Sequence, residues 1–521
     1  MLPDFSPMKA DTCILFDSET AEAACLESLG AQFGLEAAGA SQSRHVYFDT
    51  FDWRLFAEGY GLESASGELR LCSLADDEVL AALPWKNRRA PAFASEVAEE
   101  GPLRDALAKV CGIRALLRQA ELTAHLRDFR VLDAEGKTVL RVRFGSYAFH
   151  GGSKPFLREW RVRPLKGYEA EAREFCLLAG RYGKRQKGPG GHPLTLALQE
   201  RGVDPFRYSP NRDLGFSPEL PAYLAARSVL EHALEVVEAN EPGILDDTDT
   251  EFLHHYRVAL RQTKSALGLF GEVLPKKETD ALKQTVGALA RASNTVRDLD
   301  VFLLKRASIT ARLPGAFNPG VETFFRRLKA ERRREFKKLC AFLRSEELPA
   351  GKLQWREFST RLASPDFSPA PGVSVYTVAC ANISRRYARI LKRGGKLGPG
   401  SPEEPFHELR IDFKKLRYNL EFFRSLFPGK EVGYFIRHLR RMQGLLGDLN
   451  DIKVQRDFLT ARLARLDLKT RDSANIAASL GALIARLEEG SLRLREGFPA
   501  AFAELADGRM KSIAGRLFRP S

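Results

Sequence analysis

Residues 407–426 read HELRIDFKKLRYNLEFFRSL, and residues 438–451 read HLRRMQGLLGDLND. On a helix, His407, Arg410, Lys414 and Arg417 fall at i, i+3, i+7 and i+10, which places all four within an arc of about 80°. Arg440 and Arg441 follow on a later helix, ahead of Asp448-Leu449-Asn450. The same order stands earlier in the chain. In residues 254–264, HHYRVALRQTK, His254, Arg257, Arg261 and Lys264 repeat the spacing, with Arg291 and Asp298-Leu299-Asp300 behind them. The two histidines are 153 residues apart, and Asp298 and Asp448 are 150 apart. A cationic stripe on one helix is usually a solvated face. Two in one register mark an internal duplication.

Charge follows the same division. The net charge is +14, of which residues 1–205 carry −2 and residues 206–521 carry +16; within the latter, 206–320 is −1 and 321–521 is +17. A positive field concentrated in one region points to a polyanionic partner: polyphosphate, nucleic acid or an anionic membrane surface. No window approaches 18 uncharged apolar residues, so membrane insertion is not expected. The N-terminus lacks the basic-then-apolar order of a signal peptide. The seven cysteines form no C-x-x-C, which suggests reduced thiols in a cytoplasm and no zinc site.

From residue 218 the apolar periodicity is helical. Helices are predicted at 218–240, stopped by Glu241-Pro242-Gly243; from the cap Asp249-Thr250 to before Pro275; and at 277–309 and 319–346. A second set follows at 372–394, 403–427, 430–464 and 472–497. Phe435, Leu439, Met442 and Leu446 at i, i+4, i+7 and i+11 supply a core stripe. Two groups of four suggest two packed four-helix bundles.

Two further helices carry cations on one face: Arg326, Lys329, Arg333 and Lys337, and Arg385, Arg389, Lys392 and Lys396. Like charges so spaced destabilise an isolated helix, a cost that a bound anion offsets. The four stripes, if packing brought them together, would line a groove or pore with cations set to meet phosphates along a flexible chain. Single-stranded nucleic acid is usually gripped by cations interleaved with stacking aromatics. The stripes contain none, and Tyr256, Tyr387 and Tyr418 suit packing. Nucleic acid is therefore disfavoured. His254 and His407 are read as phosphate donors, and no second ligand at i+4 suggests a metal. Asp298 and Asp448 are read as supporting residues that cap a helix or orient a stripe arginine; a metal-binding or catalytic role is the alternative.

The twin pattern, with the run Leu416 to Phe423 and the two D-L-[ND] turns, resembles the CHAD family, the conserved-histidine α-helical domain, over about residues 215–505. The resemblance implies an all-helical, duplicated domain (repeats 218–347 and 372–505) that binds inorganic polyphosphate. Its expected binding residues are His254, Arg257, Arg261, Lys264, Arg326, Lys329, Arg333, Lys337, Arg385, Arg389, Lys392, His407, Arg410, Lys414, Arg417 and Arg441.

Residues 1–205 are interrupted by Gly and Pro and hold short alternating runs such as 45–48, 68–71, 139–144 and 158–162, with helical periodicity around 20–33, 102–118 and 168–182. An α+β domain is expected, then a Gly- and Pro-rich linker within 183–217, its last part 206–217. Tyr47-Phe48-Asp49-Thr50, Leu55, Gly59-Tyr60-Gly61-Leu62 and the strand reaching Trp85-Lys86 resemble the CYTH family, a β tunnel that includes triphosphate hydrolases and often precedes CHAD domains. The likeness is degraded where chemistry would sit. The family's opening E-x-E-x-K is replaced by Thr12 to Asp17, its R-x-R by Glu63-Ser64-Ala65, and its late acidic strand by Glu159-Trp160-Arg161-Val162-Arg163. Metal-assisted phosphoryl transfer needs carboxylates to hold the ion. Lys86, Arg127, Arg130, Arg141, Arg143 and Glu159 are the polar candidates left, best read as strand-face charges.

The expectation is therefore a degenerate CYTH-like α+β domain followed by an all-α domain of two duplicated four-helix bundles. Its function is non-enzymatic polyphosphate binding with no cofactor, in a bacterial cytoplasm and at polyphosphate granules. A CYTH-type triphosphatase whose helical domain delivers substrate, or a binder of nucleic acid or an anionic surface, are the competing readings.

Overall fold

The computed structural model describes residues 12–85, 92–97, 100–187, 191–364, 367 and 373–518. The chain divides into two compact units, Met1–Ser209 and Pro210–Ser521.

The first unit is built on nine strands: β1 (Thr12–Leu15), β2 (Gly34–Asp49), β3 (Tyr60–Ala65), β4 (Glu68–Ser73), β5 (Val79–Pro84), β6 (Leu117–Leu132), β7 (Thr138–Phe149), β8 (Pro155–Pro164) and β9 (Lys184–Lys187). They form one antiparallel sheet in the order β5-β4-β3-β2-β6-β7-β8-β1-β9. Alternate residues of β7 and β8, among them Val142, Phe144, Trp160 and Val162, enter a core with Cys25, Leu29 and Phe175. Phe144 and Trp160 stack there at 4.0 Å between centroids. Five helices accompany the sheet: α1 (Glu19–Gly30), α2 (Arg54–Ala57), α3 (Pro102–Cys111), α4 (Glu169–Ala179) and α5 (Pro193–Glu200). The helix expected to reach residue 118 ends at Cys111. Gly112 takes φ 59°, where glycine pays no Cβ penalty, and the chain turns into β6. The stretch 183–217, read as linker, carries two elements. β9 pairs with β1, and α5 starts on Pro193 with the His192 ring accepting from the Leu194 amide. Leu194, Ala197 and Leu198 then bury against Tyr47 and Leu122.

The second unit is all helical: α6 (Ala222–Leu245), α7 (Thr250–Leu269), α8 (Lys276–Leu304), α9 (Arg306–Thr310), α10 (Asn318–Leu343), α11 (Glu347–Arg361), α12 (Val375–Gly394), α13 (Glu403–Phe422), α14 (Gly429–Leu463), α15 (Arg471–Leu505) and α16 (Gly508–Leu517). The duplication is written in the helix starts. α6, α7, α8 and α10 begin at 222, 250, 276 and 318, and α12, α13, α14 and α15 at 375, 403, 429 and 471, each 153 residues later. Equivalent residues also meet. Pro221 and Ser374 form an isolated antiparallel bridge, and the rings of Phe270 and Phe423 stand edge to face at 5.9 Å. Both pairs are 153 apart, so they lie near an approximate two-fold axis relating the repeats.

The repeats share a core cluster. Leu299, Phe302, Phe324, Phe325 and Leu328 of the first share one cluster with Leu459, Ile476, Leu480, Leu483 and Leu487 of the second. α10 and α15 approach closely at Gly320, where a Cβ would lie 2.2 Å from the Asn475 carbonyl oxygen. Contrary to the stop expected at Pro242, α6 continues to Leu245. Gly243 lies under the Phe252 ring, 2.4 Å from where a Cβ would stand, so packing against α7 holds the helix through the proline. Two helices outside the eight expected, α11 and α16, complete the unit. Trp355 of α11 is fully buried, with Nε1 donating to the Leu230 carbonyl at 3.1 Å. Phe518, following α16, packs edge to face on Phe427 and Phe435.

Candidate anion-binding site

Asp249 caps α7 by accepting from the amides of Glu251 and Phe252, and α13 starts after Pro402 with Glu403 and Glu404 in its first turn. Acidic groups at these N-termini suit the helix dipole. On each helix the apolar residues, such as Tyr256, Ala259, Leu260 and Leu267, or Leu409, Phe413, Leu416 and Leu420, are buried. That fixes the rotation of both helices and turns the two His-and-cation stripes away from the core.

The stripes converge. Burial and the charges of Arg410, Arg261 and Arg417 push the Lys414 ammonium down to about 8, with Asp451 opposing them. Arg261 and Lys414 are equivalent residues of the two repeats, so the cations crowd where the two-fold relation brings α7 and α13 together. Arg257 and Arg410 occupy equivalent places, and burial pulls both guanidinium groups below their ordinary range. The Arg257 Nη1 donates at 2.9 Å to the Ala290 carbonyl and to Ser293 Oγ on α8. In both arginines Nε is buried without a hydrogen-bond partner. On Arg417, Nε lies 3.4 Å from Glu421, a carboxylate that burial raises and that Arg417 and Arg440 counter. Lys264 and Arg291 both reach the bare Cα of Gly287, whose added Cβ would lie 3.2 Å from Arg291 Nη1 and 3.8 Å from Lys264 Nζ. Tyr256, Tyr387 and Tyr418 are buried, as their sequence positions implied.

The supporting carboxylates follow the 153-residue register. Asp298, raised by burial, is countered by Arg257 and Arg297. The matching influence on Arg410 comes from Asp451, which also pairs with Lys305 at 3.0 Å. The sequence pairing of Asp298 with Asp448 is thus one helical turn out of register. Asp448 borders, together with Asp451, a cleft of about 770 Å3 that also holds Lys305, Arg312, Arg486 and Arg493 over an apolar floor.

The other two stripes lie elsewhere. Arg393 and Arg389 of α12 approach the buried Asp412 at 2.7 and 3.8 Å. Asp412 is about 200° around α13 from Arg410 and from Lys414, so α12 packs on the flank opposite the stripe. Its Arg389, Lys392 and Lys396 border a shallow depression of about 390 Å3, while Arg385 is exposed. On α10, packed against α8 and α15, Arg326, Lys329, Arg333 and Lys337 are all exposed. Arg441 pairs with Glu504 of α15, so Arg440 is the cation of that pair facing α13. Sequence reasoning missed Asp451, Arg297 and Asn450. The signal was the 153-residue offset, followed past the histidines.

In the first unit, Arg127 pairs with Glu22 at 3.0 Å, Arg130 with Glu36 at 2.9 Å and Arg143 with Asp128 at 2.7 Å, while Arg141 faces Arg130 and Arg163 across the sheet. Lys86 lies outside the described residues. The buried polar groups pair among themselves. Arg161 donates to Glu159 at 2.7 Å and to Asp77, and His192 stands 3.4 Å from Asp77. Glu63 takes Arg70 at 3.0 Å and His45 at 3.1 Å. Burial alone would raise the Glu63 carboxyl, but the His45 hydrogen bond and the nearby cations hold it at about 2. Among the described residues, no group of three or more His, Cys, Asp or Glu is placed to hold a metal ion, and no helix is long and apolar enough to cross a membrane.

Residues 228–460 match the CHAD domain family model, and the second unit thus carries a CHAD domain. Among solved structures the chain is similar to the CHAD domain from the plant Ricinus communis, at 23% identity and TM-score 0.48, covering 56% of this chain and 94% of that one. It is also similar to PptA from Streptomyces chartreusis, at 16% identity and TM-score 0.41, covering 55% and 100%. A third similar structure is a Hippeastrum protein designated an adenylyl cyclase and described as having a dominant triphosphatase activity, at 12% identity and TM-score 0.27, covering 39% and 100%. No curated protein matches. The antiparallel sheet of the first unit is consistent with a CYTH-like domain.

Proposed function

We propose that the CHAD domain binds inorganic polyphosphate on the face shared by α7 and α13, without turning it over. One observation carries this reading: Arg261, Arg410, Lys414 and Arg417 crowd on this face, where burial first and the neighbouring guanidinium charges second bring the Lys414 ammonium down to about 8. A folded protein keeps such a cluster against its own stability when a polyanion neutralises it. Phosphate oxygens strung along a flexible chain meet helix cations a turn apart, and the buried tyrosines leave no stacking platform for bases. In the first unit, Glu63, Asp77 and Glu159 are each engaged by a guanidinium or imidazole. That supports a scaffold role over metal-assisted hydrolysis. The same reading places the protein at polyphosphate granules.

The test is a calorimetric titration of the full chain with long-chain polyphosphate, with single-stranded DNA as competitor. Polyphosphate is expected to bind and to be retained against DNA of equal total charge. Displacement by DNA at equal charge would overturn the assignment.

A further inference from the structure

The two-fold relation fails at the histidines. His254 and His407 hold equivalent places, and each turns Nδ1 toward the residue 43 positions later. For His254 that residue is Arg297, whose Nη2 lies 2.9 Å from Nδ1 while Nη1 donates to the Thr250 carbonyl at 3.1 Å. For His407 it is Asn450, whose Oδ1 lies 2.9 Å from Nδ1. A guanidinium has only N–H groups to offer, so the His254 Nδ1 must accept, and the ring carries its proton on Nε2. Asn450 presents a carbonyl oxygen, so the His407 Nδ1 must donate. A second proton on His254 would set N–H against N–H, whereas on His407 it leaves the existing bond intact.

We propose that Arg297 and Asn450 are positioning residues that make the two histidines unequal: His254 is held neutral, and His407 is the ring that takes up a second proton. The surroundings agree. Arg297 on α8 brings a full positive charge to His254, softened by Glu251, Asp298 and Asp300 around the guanidinium, and the His255 ring stands 5.8 Å away. Around His407, Asn450 and Lys453 of α14, Glu403 of its own helix and Arg495 of α15 border a cavity of about 20 Å3, room for one water. Glu403 is shared between Arg456 and Arg495, and Lys453 pairs with Asp457. Among the described residues, the group at the His407 Nδ1 is the Asn450 amide oxygen and not a guanidinium.

On the polyphosphate reading, acidification adds one cation to the second repeat's half of the site and none to the first. Affinity then rises by up to about tenfold per pH unit while His407 titrates. The proposal itself is tested without ligand. The full chain is labelled with 13C at histidine Cε1, and the ring signals, assigned with His254→Gln and His407→Gln, are followed from about pH 5 to 8. His407 is expected to titrate and His254 not. In Asn450→Arg, the first repeat's residue at a half-exposed position, His407 stops titrating over that range. Arg297→Asn releases His254, and Asn450→Arg carries the test if loss of the Thr250 tie unfolds that variant. His254 titrating alongside His407, or His407 titrating unchanged in Asn450→Arg, overturns the proposal. A second arm measures polyphosphate affinity from about pH 5 to 7, below the range in which Lys414 loses its proton: the slope there is expected to vanish in Asn450→Arg. Absence of polyphosphate binding at every pH, with the rings behaving as stated, defeats the binding reading and leaves this one standing.

Discussion

Replacing Lys414 by glutamine separates a binding role from a structural one, because the two predict opposite signs. Lys414 stands half-buried among Arg410, Arg261 and Arg417 with Asp451 as a counter-charge, and its ammonium is brought down to about 8 from 10.5. Each unit of such a shift corresponds to about 1.4 kcal/mol, but the side chain is only partly buried. Burial is the larger cause and the neighbouring cations the smaller, and with solvent screening the net cost of the charged side chain is about 1–2 kcal/mol. Lys414→Gln removes that cost, so without ligand the variant melts a few degrees higher. The same change removes one charge-assisted contact to phosphate, on the order of 1.5–3 kcal/mol, and weakens polyphosphate binding about 10- to 100-fold. Protons bound to the unfolded chain exceed those on the folded one between pH 8 and 10.5 at this residue. Native stability therefore gains with rising pH over that window, relative to the variant, and affinity falls as pH rises through 8. Melting temperature by calorimetry and affinity by titration, on both proteins at pH 7 and pH 9 (about one unit either side of the shifted value), are the assay. A variant that melts lower and binds polyphosphate as before would refute the reasoning.

Arg257→Ala and Arg410→Ala should each weaken polyphosphate binding about tenfold, while Lys276→Ala, at the start of α8 and off the stripe, leaves titrations unchanged. Raising salt should weaken binding steeply, since many Lys/Arg contacts release condensed counterions; a flat dependence would mean few ionic contacts. The purified protein should release no phosphate from tripolyphosphate or ATP with magnesium or manganese; stimulated release that Glu159→Gln abolishes would reverse the reading of the first unit. Gly320→Ala puts a Cβ against the Asn475 carbonyl and should cost about 1–3 kcal/mol by overpacking the shared core, read as a lower melting temperature.

The sequence made the duplication and the faces of α7 and α13 legible, because helical period and repeat offset are both properties of spacing. Contacts set by packing were harder to read. Asp448-Leu449-Asn450 imitates Asp298-Leu299-Asp300 in letters, yet α8 and α14 superpose at 153 residues, which puts Asp451 beside Arg410. The cations of α10 and α12 were visible, but not that Asp412 draws α12 to the far flank of α13. Pro349 and Gly351 disguised α11, which the burial of Trp355 against α6 holds in place. The helix stop read at Pro242 was overridden by Gly243 beneath Phe252. In the first unit the missing acidic motifs were legible, while the internal ion pairs, made between strands distant in sequence, were not.

The near-symmetric meeting of Arg261 with Lys414, and of Phe270 with Phe423, bears on the polarity of whatever chain crosses it. A strand of nucleic acid has a 5′ and a 3′ end, and reversing it changes every group it presents. Inorganic polyphosphate has no head or tail: read from either end it offers the same row of oxygens. A cradle whose halves are related by a two-fold rotation shows that polymer almost the same donors in both orientations, so no encounter is lost to entering backwards. The unlike neighbours of the two histidines, and the exchange of arginine for lysine at the places of Arg261 and Lys414, would then be features by which this cradle could tell one half of its cargo from the other.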